Sequence, residues 1–436
     1  MRTATVILQR REPPVSIIDR ISDPLAWEEF LEYKRSSGHL SVAEERDLAA
    51  FIEKREYEAV AERIAAGEEL SLPKLREINK KSTGKKRLVF VFPREENYVL
   101  KLVAYRLSNE YDRLFPRNLY SFRRGIGVKQ AIDDILRRSS RERLYSYKVD
   151  ISDYFNSVNT DLAVAKMRAA LSEDTRCADL IEGILREPRA TFGKQQIECR
   201  KGIMAGVPIS GFLANLFLLE LDEHFASEGV IYARYSDDII VFSDTEEGAR
   251  QHEAIIKSHL SRVGLSVNEK KEFRTSPGEP WEFLGFKVSG RRIDISTVSF
   301  EKIKAKMRRK ARALKRWRER RGAAPEGAAV AFIRAFNRKL FDNPARNDIT
   351  WSLWYFPTIT TDESLREIDR YAVECIRYAV TGRHSKINYR LRYERIKELG
   401  FRSLVNAYYK FREGERVNSD TQSSENSIIT PRAVES

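Results

Sequence analysis

Two adjacent carboxylates, Asp237 and Asp238, sit between short apolar runs, Ile231-Tyr232-Ala233 before them and Ile239-Ile240-Val241-Phe242 after. β-Branched and aromatic runs either side of a polar break read as a β-hairpin with Tyr235-Ser236-Asp237-Asp238 at its tip. Side-by-side carboxylates repel each other unless something positive sits there, and a divalent metal is the usual answer. Ser-Asp-Asp is also ordinary turn chemistry, so the tip alone leaves both readings open. A third carboxylate, Asp150, ends the strand-like run Lys148-Val149-Asp150-Ile151, which leads into Ser152-Asp153-Tyr154-Phe155. If strand and hairpin are neighbours, Asp150, Asp237 and Asp238 form one cluster. Phosphoryl transfer by two divalent ions needs such a cluster, with one ion activating an attacking hydroxyl and the other steadying a leaving pyrophosphate. Asp153 reads better as a helix cap than as a fourth member.

The same chemistry calls for cations to hold a triphosphate and a lysine to neutralise or protonate pyrophosphate. Gly84-Lys85-Lys86-Arg87 forms a basic turn before the strand Leu88 to Phe92, and Arg123-Arg124 lies in the loop Tyr120 to Gly127. Either can be a phosphate grip or a solvated basic loop. Gly202 to Asp222 is a Gly/Pro-rich loop opening a strongly apolar helix, with Ser210 as cap candidate. Its glycines allow a base or sugar to approach the backbone. Further on, Gly264 to Lys271 precedes a second hairpin pattern, Trp281 to Val288.

Composition narrows the partners. The chain has 436 residues, and Lys+Arg exceed Asp+Glu by 78 to 64, a net charge of +14 that favours an anionic partner, nucleic acid before membrane. No apolar run is long enough to span a bilayer, and the N-terminus shows no signal-peptide core. Cys177, Cys199 and Cys375 lack metal or disulfide spacing, which suits a reducing cytoplasm. From Glu301 to Arg321, 12 Lys/Arg face two Glu, with Ile303, Met307, Ala311, Leu314 and Trp317 at helical spacing. Lys304, Arg308, Arg309, Arg312, Lys315 and Arg316 on such a helix can track a phosphate backbone.

In order, these motifs resemble those of the reverse transcriptases over about residues 80 to 290. Tyr235-Ser236-Asp237-Asp238 is similar to the family's YxDD box, and Lys148 to Phe155 to the strand carrying its first metal-binding Asp. Gly206-Val207-Pro208-Ile209-Ser210 with Ala214-Asn215-Leu216 is similar to the loop and helix that pack on the incoming nucleotide. Phe283-Leu284-Gly285-Phe286 resembles the primer-grip hairpin. The resemblance implies Asp150, Asp237, Asp238 and the Ile151 carbonyl as ligands of two Mg²⁺ (or Mn²⁺). It implies Lys271, with Lys270 as rival, on the pyrophosphate side. It implies Lys86, Arg87 and one of Arg123 or Arg124 at the triphosphate, and Phe155 beneath the sugar, where a ring would collide with a ribose 2′-hydroxyl. Ala205 and Gly211 depart from the family's usual Gln and Pro.

The fold expected is α+β, a right-hand polymerase: fingers and an antiparallel palm sheet backed by helices (76–290), then an all-helical basic thumb and C-terminal region (291–413). A helical N-terminal extension (1–75) precedes them and a disordered tail (414–436) follows. Within the family, Ala205-Gly206 and the runs Trp354-Tyr355-Phe356-Pro357, Thr381-Gly382-Arg383 and Leu399 to Leu404 resemble the bacterial "unknown group", or defence-associated, branch related to retron and group II intron enzymes. That branch implies a dedicated non-coding RNA template, dNTP substrates, a DNA product and a role in phage defence. Two rivals stand beside it: a protein-primed, untemplated DNA polymerase of abortive-infection type, and an RNA-binding maturase or scaffold with a vestigial polymerase site.

Overall fold

The computed structural model describes residues 15–37, 40–79, 86–139, 144–199, 202–341, 351–383 and 386–414, with the backbone alone for Asn79, Lys86, Arg87, Leu353, Ile387 and Tyr389. The basic turn's Gly84-Lys85 and the tail from 415 onward lie outside these residues. The chain divides into two compact units, residues 1–37 with 43–277, and residues 278–436 with 38–42. The division falls at Pro277, ahead of the Trp281 hairpin, so that hairpin belongs with the C-terminal helices.

In the first unit, helices α1 (Pro24–Ser36), α2 (Val42–Glu53) and α3 (Tyr57–Ala65) open the chain. Asp23 caps α1 by accepting from the Leu25 N–H, and Pro24 takes the first helical position, where no N–H is needed. Trp27 stacks on Tyr57 at 4.9 Å and meets Phe51 edge-on at 5.3 Å. The extension is thus built around a buried aromatic core. β1 (Lys74–Asn79) and β2 (Lys86–Val91) form an antiparallel hairpin, followed by α4 (Arg94–Glu110) and α5 (Val128–Ser139).

β3 (Tyr145–Asp150) leads through the short α6 (Tyr154–Ser157) to α7 (Thr160–Ala170) and α8 (Thr175–Arg186). β4 (Arg189–Phe192) and β5 (Gln195–Glu198) then extend the first sheet, whose order is β2-β1-β4-β5 with β1 and β4 parallel. Helices α9 (Ser210–Phe217) and α10 (Leu219–Ser227) precede the hairpin β6 (Tyr232–Tyr235) and β7 (Asp238–Ser243). After α11 (Glu246–Arg262) comes β8 (Phe273–Thr275). The second sheet, order β6-β7-β3-β8, is antiparallel throughout. Val149, Ile239, Ile240 and Val241 are buried in it, and α11 packs on β3 and β7. Burial of both faces explains why these strands read as unbroken apolar runs.

The second unit begins with a three-stranded antiparallel sheet, β9 (Trp281–Phe283), β10 (Phe286–Ser289) and β11 (Arg292–Ile295). Leu284 and Gly285 both have positive φ, at 51° and 89°, the signature of a two-residue hairpin turn. Then come α12 (Thr297–Arg321), α13 (Pro325–Leu340), α14 (Trp351–Tyr355), α15 (Glu363–Thr381) and α16 (Tyr393–Glu398), and a last helical stretch at 404–414. The expected all-helical region therefore carries one strand, β11, which completes the hairpin's sheet. Among the described residues no helix is long and apolar enough to cross a membrane.

Candidate active site

Strand register brings the carboxylates together. β3 and β7 pair antiparallel with Asp150 directly opposite Asp238, and the Ile151 N–H donates to the Asp237 carbonyl at 2.9 Å. Asp237 and Ser236 form the β6–β7 turn, with Ser236 at φ +60°. The segment 266–268 closes the other side of β3: the Ser152 N–H donates to the Ser266 carbonyl at 2.9 Å, and the Asn268 N–H to the Asp150 carbonyl at 2.7 Å.

That contact delivers the lysine. Lys271 Nζ lies 2.6 Å from Asp150 Oδ2, and Asn268 Nδ2 donates to Asp150 Oδ1 at 3.3 Å. Lys270, the rival candidate, is exposed. Burial lowers the Lys271 pKa, but the hydrogen bond and charge of Asp150, with Asp238 and Asp237 behind, more than reverse this, so the ammonium stays charged. Burial pushes the Asp238 carboxyl up to about 6; Lys148, 4.0 Å away, pulls it down, while Asp237 and Asp150 add to the rise.

Among the described residues no three His, Cys, Asp or Glu side chains stand ready as a metal cage. Asp150 turns its oxygens to Lys271 and Asn268 instead. The donor chemistry nonetheless fits a hard divalent cation. All three side chains are oxygen ligands at one end of one sheet, and burial beside Asp237 and Asp150 disfavours the Asp238 anion, which a cation would stabilise. Lys271 is 56% exposed and so is free to swing off Asp150.

A buried network holds the hairpin tip from behind. Arg234, on β6, and Asp222, on α10, are both fully buried and form an ion pair. The Tyr232 hydroxyl also donates to Asp222, at 2.9 Å. Arg234 reaches the Ser236 carbonyl at 3.3 Å and the Asn215 carbonyl at 3.2 Å. Burial alone would lower the Arg234 pKa, but the adjoining Asp222 carboxylate raises it above the ordinary arginine value. On the other flank, the Ser236 N–H donates to Ser121 Oγ at 2.8 Å, and Ser121 Oγ donates to Asn215 Oδ1 at 3.1 Å. Sequence reasoning gave no role to Ser121, Asp222, Arg234 or Asn268. The available signal was polarity out of place: Arg234 inside an apolar strand, and Asp222 following the run of leucines at 218, 219 and 221.

The remaining candidates are distributed as follows. Gly206 (φ +100°) sits where a Cβ would come within 3.1 Å of the Phe90 carbonyl and of Val89 Cβ. The Phe90 N–H donates to the Ala205 carbonyl at 2.8 Å, so this loop, with Pro208 partly exposed on it, docks on β2. Ser210 does not cap α9. It is the first helical residue, and its hydroxyl donates to the Met204 carbonyl at 2.7 Å. Asp153 does occupy the N-cap of α6, but at φ +43° and without a side-chain capping bond. Phe155 is partly exposed.

Arg123 and Arg124 are both already engaged. Arg123 grips Asp112 through two hydrogen bonds of 2.8 Å and donates to the Pro116 and Leu119 carbonyls. Arg124 lies over the Tyr33 ring at 4.6 Å and hydrogen-bonds Asn109. Arg123 is thus held in a carboxylate pair, whereas Arg124 is exposed with neutral partners. Lys86 and Arg87 lie on β2, but their side chains are outside the described residues. In the second unit, Lys304 pairs with Glu367 at 3.2 Å and Lys315 with Glu319 at 3.6 Å, whereas Arg308, Arg309, Arg312 and Arg316 are exposed along α12.

An antiparallel sheet with acidic residues at one end, fed by a glycine loop and helix and faced by a lysine, is the palm of a right-hand polymerase, and the chain as a whole is α+β. Residues 78–288, a little under half of the chain, match the family described as "Reverse transcriptase (RNA-dependent DNA polymerase)". The chain is 28% identical over 117 residues to the retron Ec86 reverse transcriptase of Escherichia coli, a stretch covering 26% of this chain and 37% of that protein. Among solved structures it is similar to apo telomerase from Candida tropicalis (TM-score 0.47, 12% identity, 77% of this chain and 60% of that one). It is also similar to telomerase from Candida albicans in complex with a TWJ fragment of telomeric RNA (TM-score 0.42, 12% identity, 80% and 68%).

Proposed function

We propose that the chain is an RNA-directed DNA polymerase that adds dNMPs to a 3′-hydroxyl. The observation that carries this reading is the register of Asp150 against Asp238, with Asp237 beside them and Lys271 at 2.6 Å from Asp150. Asp150, Asp237, Asp238 and the Ile151 carbonyl would hold two Mg²⁺, or Mn²⁺ in their place. When bound, the ions supply a lowered pKa for the attacking hydroxyl and charge stabilisation for the leaving pyrophosphate. The chain's own work is positional. Arg234, Ser121 and Asn215 fix the Ser236 turn that carries Asp237 and Asp238 beside Asp150. Lys271 is near enough to neutralise or protonate the leaving group. Lys86 and Arg87 are the proposed triphosphate contacts, Gly206 and Pro208 line the nucleotide's approach with Ser210 buried behind them, and the exposed arginines of α12 bind the template–product duplex. Phe155 meets the sugar and rejects a 2′-hydroxyl.

The template we propose is a dedicated non-coding RNA copied in the cytoplasm as part of antiphage defence, as in the branch the sequence resembles. The vestigial-scaffold reading gives no reason for a charged lysine to be held on Asp150. To test the proposal, the protein is purified from its native host, and the nucleic acid that travels with it is sequenced before and after dNTPs and Mg²⁺ are supplied. We expect one RNA species and new DNA complementary to it. A random RNA population, or DNA matching no bound RNA, would remove the dedicated-template reading.

A further inference from the structure

Phe122 is an anomaly in the first unit. Its ring is 47% exposed and its backbone is held at φ +55°, a region that L side chains rarely adopt. A ring that merely filled space would be buried and relaxed. Phe122 is neither, and strain of this kind persists only where the surroundings over-determine it. The segment before it is pinned: the Tyr120 N–H donates to the Arg234 carbonyl at 3.0 Å, and Ser121 is tied to Asn215 and Ser236.

The ring has a seat made for it. It lies on the face of α9 where Gly211 has no side chain, and a Cβ at 211 would stand 2.7 Å from Phe122 Cγ and Cδ1. From this seat it meets Phe155 edge to face, with centroids 6.1 Å apart and planes at 81°. Tyr154 braces Phe155 from another direction, at 5.7 Å and 72°. The Phe155 backbone is fixed as well. Its carbonyl accepts from the Ile203 N–H at 2.9 Å, and Gly202 approaches so closely that a Cβ there would lie 2.2 Å from that oxygen. The Phe155 backbone is thus tightly held, and among the described ring contacts its ring meets Phe122 and its chain neighbour Tyr154.

We infer that Phe122, seated in the Gly211 notch, is a positioning residue that holds the Phe155 ring in place and so sets the preference for deoxyribonucleotides over ribonucleotides. The inference rests on the proposed role of Phe155 at the sugar. With Phe122 displaced, the Phe155 ring gains freedom to turn aside, and a 2′-hydroxyl is admitted more readily.

The test is single-nucleotide extension of a DNA primer on an RNA template by the full chain, comparing kcat/KM for dATP and ATP alongside melting temperature. Phe155→Ala is expected to cut the deoxy preference about 100-fold. Phe122→Gly removes the ring and relieves the strained φ, and Gly211→Ala puts a better helix former in α9 while evicting the ring, so both should stay folded. Each is expected to cut the preference roughly 3- to 10-fold, through a lower KM for ATP, whereas Phe122→Tyr keeps it. If Phe155→Ala collapses the preference but Phe122→Gly and Gly211→Ala leave it unchanged, the positioning role is overturned and the Phe155 reading stands. If Phe155→Ala changes nothing, that reading falls and takes the inference with it.

Discussion

Asp238→Asn should stabilise the metal-free protein. Burial, with Asp237 and Asp150 nearby, lifts the Asp238 carboxyl from 3.8 to about 6. A folded-state pKa above the unfolded one means that the folded chain binds this proton more tightly. Its stabilising contribution is therefore complete below about 4 and is lost as pH rises through about 6. Rising from 3.8 to about 6 corresponds to about 3 kcal/mol of destabilisation at neutral pH. Asparagine cannot ionise and removes that cost, in which the attraction of Lys148, 4.0 Å away, is already counted. The gain expected at pH 7.5 is about 2–3 kcal/mol, or a rise in Tm of about 2–5 °C for a chain of this length. Differential scanning calorimetry in EDTA at pH 7.5 and pH 4.5 reads it directly. The advantage should be full at the higher pH and fall to about a third of that at the lower. An Asn variant no more stable than the parent at pH 7.5, or equally favoured at both values, would refute the reasoning.

Other perturbations probe other parts of the site. Lys271→Ala should slow single-turnover incorporation by about 10²–10³-fold, and a rate within two-fold of the parent would remove Lys271 from the chemistry. Asp222→Ala leaves the fully buried Arg234 guanidinium unpaired and should cost about 3–5 kcal/mol, seen as a fall in urea midpoint. Replacing Arg309, Arg312 and Arg316 together by Ala should reduce the slope of log K against log salt for an RNA–DNA duplex by about 2–3; an unchanged slope would take α12 out of the interface.

The parts of the site legible in the sequence were those where chemistry and periodicity coincide. The apolar runs flanking Asp237-Asp238 and preceding Asp150 specify strands, and their adjacency follows once a single cluster is assumed. What the sequence did not disclose was partnership across distance. Arg123 reads as a free cation, yet Asp112 and two carbonyls consume it, and nothing local marks that pairing. Ser210 has cap chemistry, but the turn before α9 offers its hydroxyl the Met204 carbonyl. The C-terminal runs read as marks of one branch have structural work in the second unit. Tyr355 packs on Phe286 at 5.2 Å, and Ser403 and Leu404 hydrogen-bond Asp369 on α15. Phe122 is seated against Gly211, and its neighbour Ser121 is tied to Asn215 and Ser236, all far along the chain, so no local window shows the strain.

Polymerisation at the Asp150–Asp238 cluster is tested most directly by primer extension. The full chain is given a DNA primer annealed to an RNA template, labelled dNTPs and Mg²⁺, with Asp237→Asn/Asp238→Asn in parallel, and the product is sequenced. We expect label in DNA complementary to the RNA from the parent, and none from the double variant. Equal incorporation by both proteins, or none by a parent that still binds the duplex, would contradict it.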